Sequence, residues 1–270
     1  MKGAHAFSAL RAIVRREFIK FTHQYTRLLS ALVRPALWLV AFAAGLHNIL
    51  GFSIIPPYRT YITYQEYMLP GLLGMVLLFN SMQSSLSLVY DREMGTMRLL
   101  LTAPLPRWYL LLCKLIGGAA LSTLQACAFL LVAWLFGVEL PALGYLRVLP
   151  ALVAAAVMLG AIGLLLSVYI RQLENFAGTM NFVIFPMFFI STALYPLWKI
   201  RESGAEYLYR VALANPFTHA VELIRFAAYG QFNALSFAVV AAVSVLCFLF
   251  AVLGYNPQRG FIRRRSAVEI

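Results

Sequence analysis

Acidic side chains are scarce in this chain of 270 residues, which has ten of them against 22 lysines and arginines. Asp91 is its one aspartate, and the glutamates stand apart from one another. Magnesium-dependent membrane enzymes hold the metal with several carboxylates together, so the composition disfavours that class. Ion-coupled transporters usually carry an ionisable residue at membrane depth. Glu66 and Lys114 instead lie near the ends of apolar runs, where snorkelling explains them.

Cysteine and histidine are sparse as well, with three of the first and four of the second. Their spacing matches no metal site, and the His-Glu-x-x-His motif of metalloproteases is absent. The chain also lacks the Gly-x-x-x-x-Gly-Lys-[Ser/Thr] loop that cradles nucleotide phosphates. We therefore expect no catalytic residue, no bound metal and no cofactor in this chain, and any use of ATP must come from a partner.

Apolar residues, by contrast, make up 62% of the chain, and only 12% of its residues are charged. A soluble domain has about 25% charged residues, and a membrane-spanning helix needs about 20 mostly apolar ones. The sequence therefore predicts an all-α membrane protein with six spans. From the apolar runs we place them at about 29–50, 66–90, 109–136, 149–170, 176–197 and 235–255.

A basic amphipathic helix is predicted before the first span, over residues 1–27, because apolar residues recur there three and four apart. It has the pattern of a helix that lies in a membrane surface. Residues 28–270 then form one transmembrane domain, which ends in a tail at 256–270. This topology puts 16 of the 22 lysines and arginines on the side of both termini. By the positive-inside rule that side is the cytoplasm, and the basic excess suits anionic lipid rather than nucleic acid.

Residues 90–108 form the largest connection predicted on the cytoplasmic side. The segment mixes charges of both signs with apolar residues, and two prolines end it. That composition suits a short helix that docks into a groove on a partner protein. An interfacial helix without a partner is the alternative.

A long connection on the outer side, at 200–234, is predicted to form a short re-entrant helical hairpin. Asn215 and Pro216 break the chain, and the helix that follows is too short and too charged to cross a membrane. Glu222 and Arg225 lie three residues apart on it, a spacing that allows an ion pair across one turn. Irregular backbone at this depth must be covered by protein or line a wet cavity.

Polar side chains inside the predicted spans are candidates for a transport pathway, namely Asn80, Gln83, Gln125 and Asn181. Amides in spans more often bond neighbouring helices than substrates, and that interpretation stays open for each of the four. Their weak polarity suits an amphipathic or lipid-like cargo better than an ion. An ion-coupled secondary transporter and a non-transporting membrane scaffold are the alternative functions.

Three ordered motifs resemble the permeases of ABC type-2 (ABC-2) transporters. Residues 90–118 are similar to that family's inner loop at Glu93, Gly95, Thr96, Leu99, Leu100, Thr102, Pro104 and Arg107. Residues 185–197 resemble its fifth span with two prolines, with Thr192 where the family usually has glycine. Residues 215–225 resemble its Asn-Pro-x-Thr motif.

The resemblance implies the membrane subunit of an ATP-driven exporter in the inner (plasma) membrane. Such permeases pair as homodimers or heterodimers, with a homodimer as the default here, and bind two separate ATPase subunits that hold the ATP and magnesium. The pathway then lies between the two permease chains. The cargo class stays open among amphipathic, lipid-like, polysaccharide and drug molecules. The resemblance further assigns ATPase coupling to the N-terminal helix and the inner loop, at Arg11, Arg15, Asp91, Arg92, Glu93, Gly95, Thr96 and Arg98.

Overall fold

The computed structural model describes residues 3–22, 32–41, 57–58, 63–95, 106–138, 140–141, 143–170 and 172–255. Over these ranges the chain forms ten helices and no strand, so the predicted all-α fold is confirmed. In chain order the helices are α1 Gly3–Thr22, α2 Leu32–Ala41, α3 Tyr64–Glu93, α4 Arg107–Leu135, α5 Gly144–Tyr169, α6 Leu173–Phe189, α7 Leu197–Glu202, α8 Glu206–Ala214, α9 Pro216–Ala228 and α10 Ala234–Gly254.

Four helices, α3, α4, α5 and α10, are long and apolar enough to cross a membrane. They coincide with the predicted second, third, fourth and sixth spans to within a few residues. The helix α2 covers the early part of the predicted first span, and the rest of that span lies outside the described residues. The same holds for residues 96–105 of the predicted inner loop and for the tail at 256–270.

The predicted fifth span is interrupted. Its helix, α6, ends at Phe189, and a bend at 190–196 leads into the short helix α7. Pro186 lies in the last turn of α6 and cannot donate a backbone hydrogen bond there. Pro196 stands at the N-cap of α7. The two prolines that the sequence shows in this segment therefore flank a break rather than sit in one continuous span.

Side-chain caps fix the starts of α3 and α9. Thr63 and Glu66 form a capping box, in which Thr63 Oγ1 accepts from the Glu66 N–H and Glu66 Oε2 accepts from the Thr63 N–H. Asn215 caps α9 through a 3.0 Å bond from the Phe217 N–H, with Pro216 in the first turn. Gly95 takes a φ of 74° just after α3, a conformation that glycine adopts without strain.

The centre of the bundle is α5, which packs against α3, α4, α9 and α10. Small residues allow these close approaches. A Cβ at Gly163 would lie 2.5 Å from Ser85 Oγ, and one at Gly160 would lie 2.8 Å from Leu115 Cδ1. Adjacent glycines on α4 serve two neighbours, because Gly118 faces Ser84 on α3 while Gly117 faces α1.

The hairpin predicted at 200–234 corresponds to α8 and α9. The second of these packs against α3, α5 and α6, and buries Phe217, Val221 and Ile224 completely. Phe217 reaches Gly74, the eleventh residue of α3, while Arg225 lies against Tyr67 near the start of α3. The hairpin therefore inserts into one end of the bundle, which we call the Tyr64 end; the opposite end, where α3 finishes, is the Asp91 end.

Replacing Gly71 by alanine tests the packing of α3 against the bend that follows α6. A Cβ at this position would lie 2.7 Å from the Cα of Ala193, so backbone must move, and overpacking of this kind costs about 1–3 kcal/mol. We expect a lower melting temperature in detergent for Gly71→Ala. Gly178→Ala is the matched control, since it is also helical and a Cβ there meets nothing within 4 Å. Equal melting temperatures would contradict the expectation.

Candidate functional site

The aspartate of the chain lies at the end of α3, within a three-residue ion cluster that we call the Asp91 cluster. Arg16 of α1 places Nη2 2.7 Å from Asp91 Oδ1, and Lys114 of α4 places Nζ 2.6 Å from Asp91 Oδ2. The carboxylate therefore has a cation on each oxygen. The cluster joins three helices, α1, α3 and α4.

Two of the three charged side chains in this cluster are buried, so their charges must be balanced within the protein. Asp91 is 1% exposed and Lys114 is 7% exposed, whereas the Arg16 side chain keeps 32% of its surface. Two charges removed from water are tolerated only with good geometry and satisfied hydrogen bonds. Asp91 with Lys114 provides a buried pair, and Arg16 adds the second cation from the rim. The prediction that Lys114 snorkels to the membrane surface is therefore wrong, because its ammonium group pairs with Asp91 inside the bundle.

The N-terminal helix has a defined seat next to the cluster. Gly117 of α4 lets α1 approach, since a Cβ there would lie 3.6 Å from Glu17 Cγ and 3.8 Å from Val14 Cα. Ile13 and Glu17 are buried in this contact. Oε1 of Glu17 has no hydrogen-bond partner among the described residues. A buried carboxylate next to the cationic side of the Asp91 cluster adds to the electrostatic attraction that holds α1 in place.

The residues predicted for ATPase coupling differ in how exposed they are to solvent. Arg11 and Arg15 are exposed on α1, and Glu93 is exposed in the last turn of α3, followed by Met94, which is 60% exposed. Arg92 is half-buried, and Gly95 follows in the left-handed conformation. The Asp91 side chain is buried within the bundle. Thr96 and Arg98 lie outside the described residues.

The predicted pathway amides do not share one environment. Asn80 and Gln125 are buried, Gln83 is half-buried and Asn181 is exposed. Within the described part of the chain, both polar atoms of the Asn80 side chain and Nε2 of Gln125 have no hydrogen-bond partner. An interhelical hydrogen bond in this region joins Ser81 and Ser122, whose Oγ atoms are 3.4 Å apart.

A cleft of about 290 Å³ lies between α2, α3 and α6, and Asn181 lines it. Arg34 of α2 enters the same cleft and places its guanidinium 4.1 Å from the centre of the Phe79 ring. Trp38 packs edge-on against Phe188. The cleft is therefore mainly aromatic, with one amide and one guanidinium, a composition that suits an amphipathic molecule.

At the Tyr64 end, Asn215 links the hairpin to α6. Its Nδ2 donates to the Met187 carbonyl at 2.8 Å and to the Ile190 carbonyl at 2.6 Å, which α6 leaves free where it ends. Glu222 and Arg225 form the ion pair that their spacing predicts. Arg225 also donates to the Thr192 carbonyl at 2.7 Å and lies 4.2 Å from the centre of the Tyr67 ring.

Sequence reasoning missed the Asp91–Lys114 pair. One signal was available, because Lys114 stands eighth in a long apolar helix and needs a counter-ion, and the chain has one aspartate. The contacts of Asn215 and Arg225 with the 187–192 segment left no comparable signal, since they join residues more than 20 positions apart through backbone carbonyls.

The chain has long apolar helices that pack through small residues, and a surface helix that ion pairs attach to them. These features define an integral membrane protein of helical bundle type. The sequence model of the ABC-2 type transporter family matches residues 8–229, which is most of the chain. The chain belongs to this family of membrane transport permeases, and the family generally works with an ABC ATPase. The match includes α1 and the hairpin and ends before α10.

Named relatives agree with this assignment. The putative transport permease ycf38 of Cyanophora paradoxa is 29% identical over 219 residues, which cover 80% of this chain and 73% of that protein. The protein of the same name from Porphyra purpurea is 27% identical over 220 residues, 80% of this chain and 72% of its own. The probable multidrug ABC transporter permease YbhR of Escherichia coli K12 is 26% identical over 171 residues, 62% of this chain and 45% of its own length.

Replacing Asp91 by asparagine tests whether the Asp91 cluster holds α1 to the bundle. Lys114 would be left buried without the carboxylate that hydrogen-bonds to it, and breaking a buried pair in this way costs about 3–5 kcal/mol. We expect Asp91→Asn to lower the melting temperature and to speed tryptic cleavage at Arg11 and Arg15.

The double variant Asp91→Asn/Lys114→Met is the control, because it removes the stranded charge as well. It should recover most of the melting temperature while tryptic cleavage within α1 stays fast, since Arg16 still lacks its carboxylate. A single variant as stable and as protease-resistant as the parent would contradict the role assigned to the cluster.

Proposed function

We propose that the chain is the membrane subunit of an ABC exporter, which couples ATP hydrolysis by a separate ATPase subunit to outward movement of an amphipathic cargo. The observation that carries this proposal is the Asp91 cluster. It gives a surface helix a rigid connection to two helices of the core, and a force applied to α1 from outside the bundle therefore reaches α3 and α4. A scaffold without transport has no need of such a connection.

The surface that receives the ATPase consists of Arg11 and Arg15 on α1 with Glu93 and Met94 at the end of α3, and we call it the docking surface. These side chains are exposed, and they flank the buried Asp91 cluster. Charge of both signs next to an exposed methionine suits a partner groove with complementary charges. ATP and magnesium are then held by the partner, since the chain has no phosphate-binding loop.

The orientation follows from the same partner. ATP is hydrolysed in the cytoplasm, so the Asp91 end faces inward and both termini are cytoplasmic in an inner (plasma) membrane. The excess of lysine and arginine on that side supports this orientation. The Tyr64 end, with its inserted hairpin, then faces outward.

Cargo moves along the face that carries the cleft between α2, α3 and α6, where two copies of the chain meet. Asn181 supports this choice, because an exposed amide in an apolar helix is unfavourable in lipid and favours contact with protein or a polar cargo. The opposite face, on α10, exposes Phe237, Leu246 and Leu249 and suits lipid. A dimer with two ATPase subunits completes the exporter.

A transporter driven by an ion gradient is disfavoured by the same cluster. A buried aspartate is the kind of group that carries a coupling proton or sodium ion. Both oxygens of Asp91, however, already have cationic partners at 2.6–2.7 Å. Binding a further cation would require this structural contact to break in every cycle.

Charge reversal at Glu93 tests the docking surface. In membranes that contain the partner ATPase subunit, we expect Glu93→Arg to lower co-purification of the ATPase about tenfold, because like charges would then face each other across the interface. Glu202→Arg, also exposed but on α7 at the other end, should change nothing. Equal ATPase recovery with both variants, at equal membrane insertion, would argue against this surface.

Disulfide cross-linking tests the dimer face. With Cys113, Cys127 and Cys247 replaced by alanine, Asn181→Cys should yield an oxidised dimer on a non-reducing gel, because equivalent residues of two copies meet near the axis of a symmetric dimer. Leu246→Cys on α10 is the control and should stay monomeric. The opposite pattern would move the interface to α10.

A further inference from the structure

A second cavity lies at the Tyr64 end, far along the bundle from the docking surface. It has a volume of about 280 Å³ and is bounded by α9, the start of α3, the 192–198 segment and the start of α10. We call it the Arg225 cavity. Pockets for small ligands are of about this size or larger, and are mostly apolar with a few placed polar groups.

Buried polar atoms without partners concentrate around this cavity. They are Thr192 Oγ1, Trp198 Nε1 and Thr218 Oγ1, which have no hydrogen-bond partner among the described residues. The Tyr58 hydroxyl and the Arg225 guanidinium lie next to each other in the same wall. Four of these side chains are 5% exposed or less. Native proteins satisfy almost all such groups, so three at one cavity indicate a missing partner.

The chemistry of these atoms defines what the partner must offer. Arg225 Nε and Trp198 Nε1 can only donate a hydrogen bond, and each hydroxyl has a hydrogen to donate. The other Arg225 nitrogens are occupied, Nη1 by Glu222 and Nη2 by the Thr192 carbonyl. The cavity therefore needs a ligand with several acceptor oxygens.

An anionic ligand fits less well than a neutral one. Glu222 balances the charge of Arg225 within the cavity wall, so an anion would lose its hydration without gaining a free cation. Burial raises the pKa of Tyr58 to about 12, so this phenol stays neutral. His219 donates from Nε2 to the Leu213 carbonyl at 3.0 Å and pairs through Nδ1 with Ser236 Oγ at 3.5 Å, so both ring nitrogens already have partners in the wall.

Aromatic rings supply much of the remaining wall, from Tyr58, Tyr67, Trp198 and Phe226, together with aliphatic side chains. Flat apolar walls with converging donors suit a ring whose faces are C–H and whose edge carries oxygens. We propose that the Arg225 cavity binds an uncharged, hydroxyl-rich ring of hexose size, either as a free sugar or as the headgroup of a glycolipid in the outer leaflet.

This site goes beyond the proposed transport function and does not depend on it. It lies within one chain, apart from the cleft that contains Asn181, and it uses none of the residues of the docking surface. Loss of ATPase coupling in Glu93→Arg would leave the binding unchanged, so the two proposals fail or succeed separately.

The binding test uses the full chain purified in an amine-oxide detergent, because detergents with sugar headgroups would occupy the site. Saturation-transfer NMR with methyl β-glucoside examines the free sugar. Native mass spectrometry of the chain released from phosphatidylglycerol nanodiscs, with or without monoglucosyl diacylglycerol, examines the lipid-borne ring. A signal from the first arm identifies a soluble ligand, and a signal from the second alone identifies a membrane lipid; either supports the proposal.

Two conservative variants connect the signal to the cavity. Thr218→Val removes one donor with little change in shape, Trp198→Phe removes the indole donor together with part of the ring, and each should weaken binding about tenfold. Without ligand, the melting temperature of Thr218→Val should stay the same or rise, since an unsatisfied polar group is gone. Trp134→Phe, on the exposed face of α4, should bind like the parent.

Either of two results would overturn the proposal. One is no binding of the sugar in either arm while the protein remains folded. The other is binding that Thr218→Val, Trp198→Phe and Trp134→Phe leave equally strong, which would locate the ligand elsewhere. Retention of phosphatidylglycerol in preference to the glycolipid, with loss in Thr218→Val, would also contradict it, because the site would then be an anion site.

Discussion

Burial of the Asp91 carboxylate sets the conditions for the whole cytoplasm-facing half of the proposed exporter. A lone carboxylate at this position would be strongly destabilised without water, and it is tolerated because two cations reach it from other helices. Each helix therefore depends on the other two for its position. The surface helix gains a fixed attachment, α4 gains a counter-ion for a lysine that could not otherwise be buried, and α3 ends at a defined point. Exposed charges on either side of the cluster are then presented in a fixed arrangement.

Close approach of helices supplies the second constraint. Lipid offers no hydrophobic advantage for helix association, so packing and interhelical contacts must do the work. Glycines on α3, α4 and α5 meet this need, and adjacent Gly117 and Gly118 do so for two different neighbours because successive residues on a helix point about 100° apart. Position 117 thus sets the approach of the surface helix, and position 118 sets the approach of α3. The same two residues of α4 therefore fix the positions of both the surface helix α1 and the core helix α3.

The sequence was sufficient for the helical class and for four long helices, since runs of more than 20 apolar residues have few other structures available to them. It was also sufficient for the pairing of Glu222 with Arg225, which is a matter of helical spacing. It was not sufficient for the break after α6, where two prolines were compatible with a kinked span as well as with a bend. The burial of Asp91 inside the bundle could not be predicted either, because a cluster of charged residues at a helix end is usually exposed to solvent. The polar groups around the Arg225 cavity come from three separate segments, at Tyr58, at 192–198 and in α9, and no local pattern brings those together.

The amide of Asn215 has one further consequence. Its side-chain nitrogen donates hydrogen bonds to two carbonyls at the end of α6, while its side-chain oxygen accepts a hydrogen bond from the first N–H of α9. One side chain therefore terminates one helix and initiates another, and the depth of the hairpin tip is set by where α6 stops. An aspartate at this position, although nearly identical in shape, would still initiate α9 but would set its negative oxygen against two carbonyl oxygens. Because one amide has a donor on one side and an acceptor on the other, it places the end of α6 and the start of α9 at the same level of the bundle.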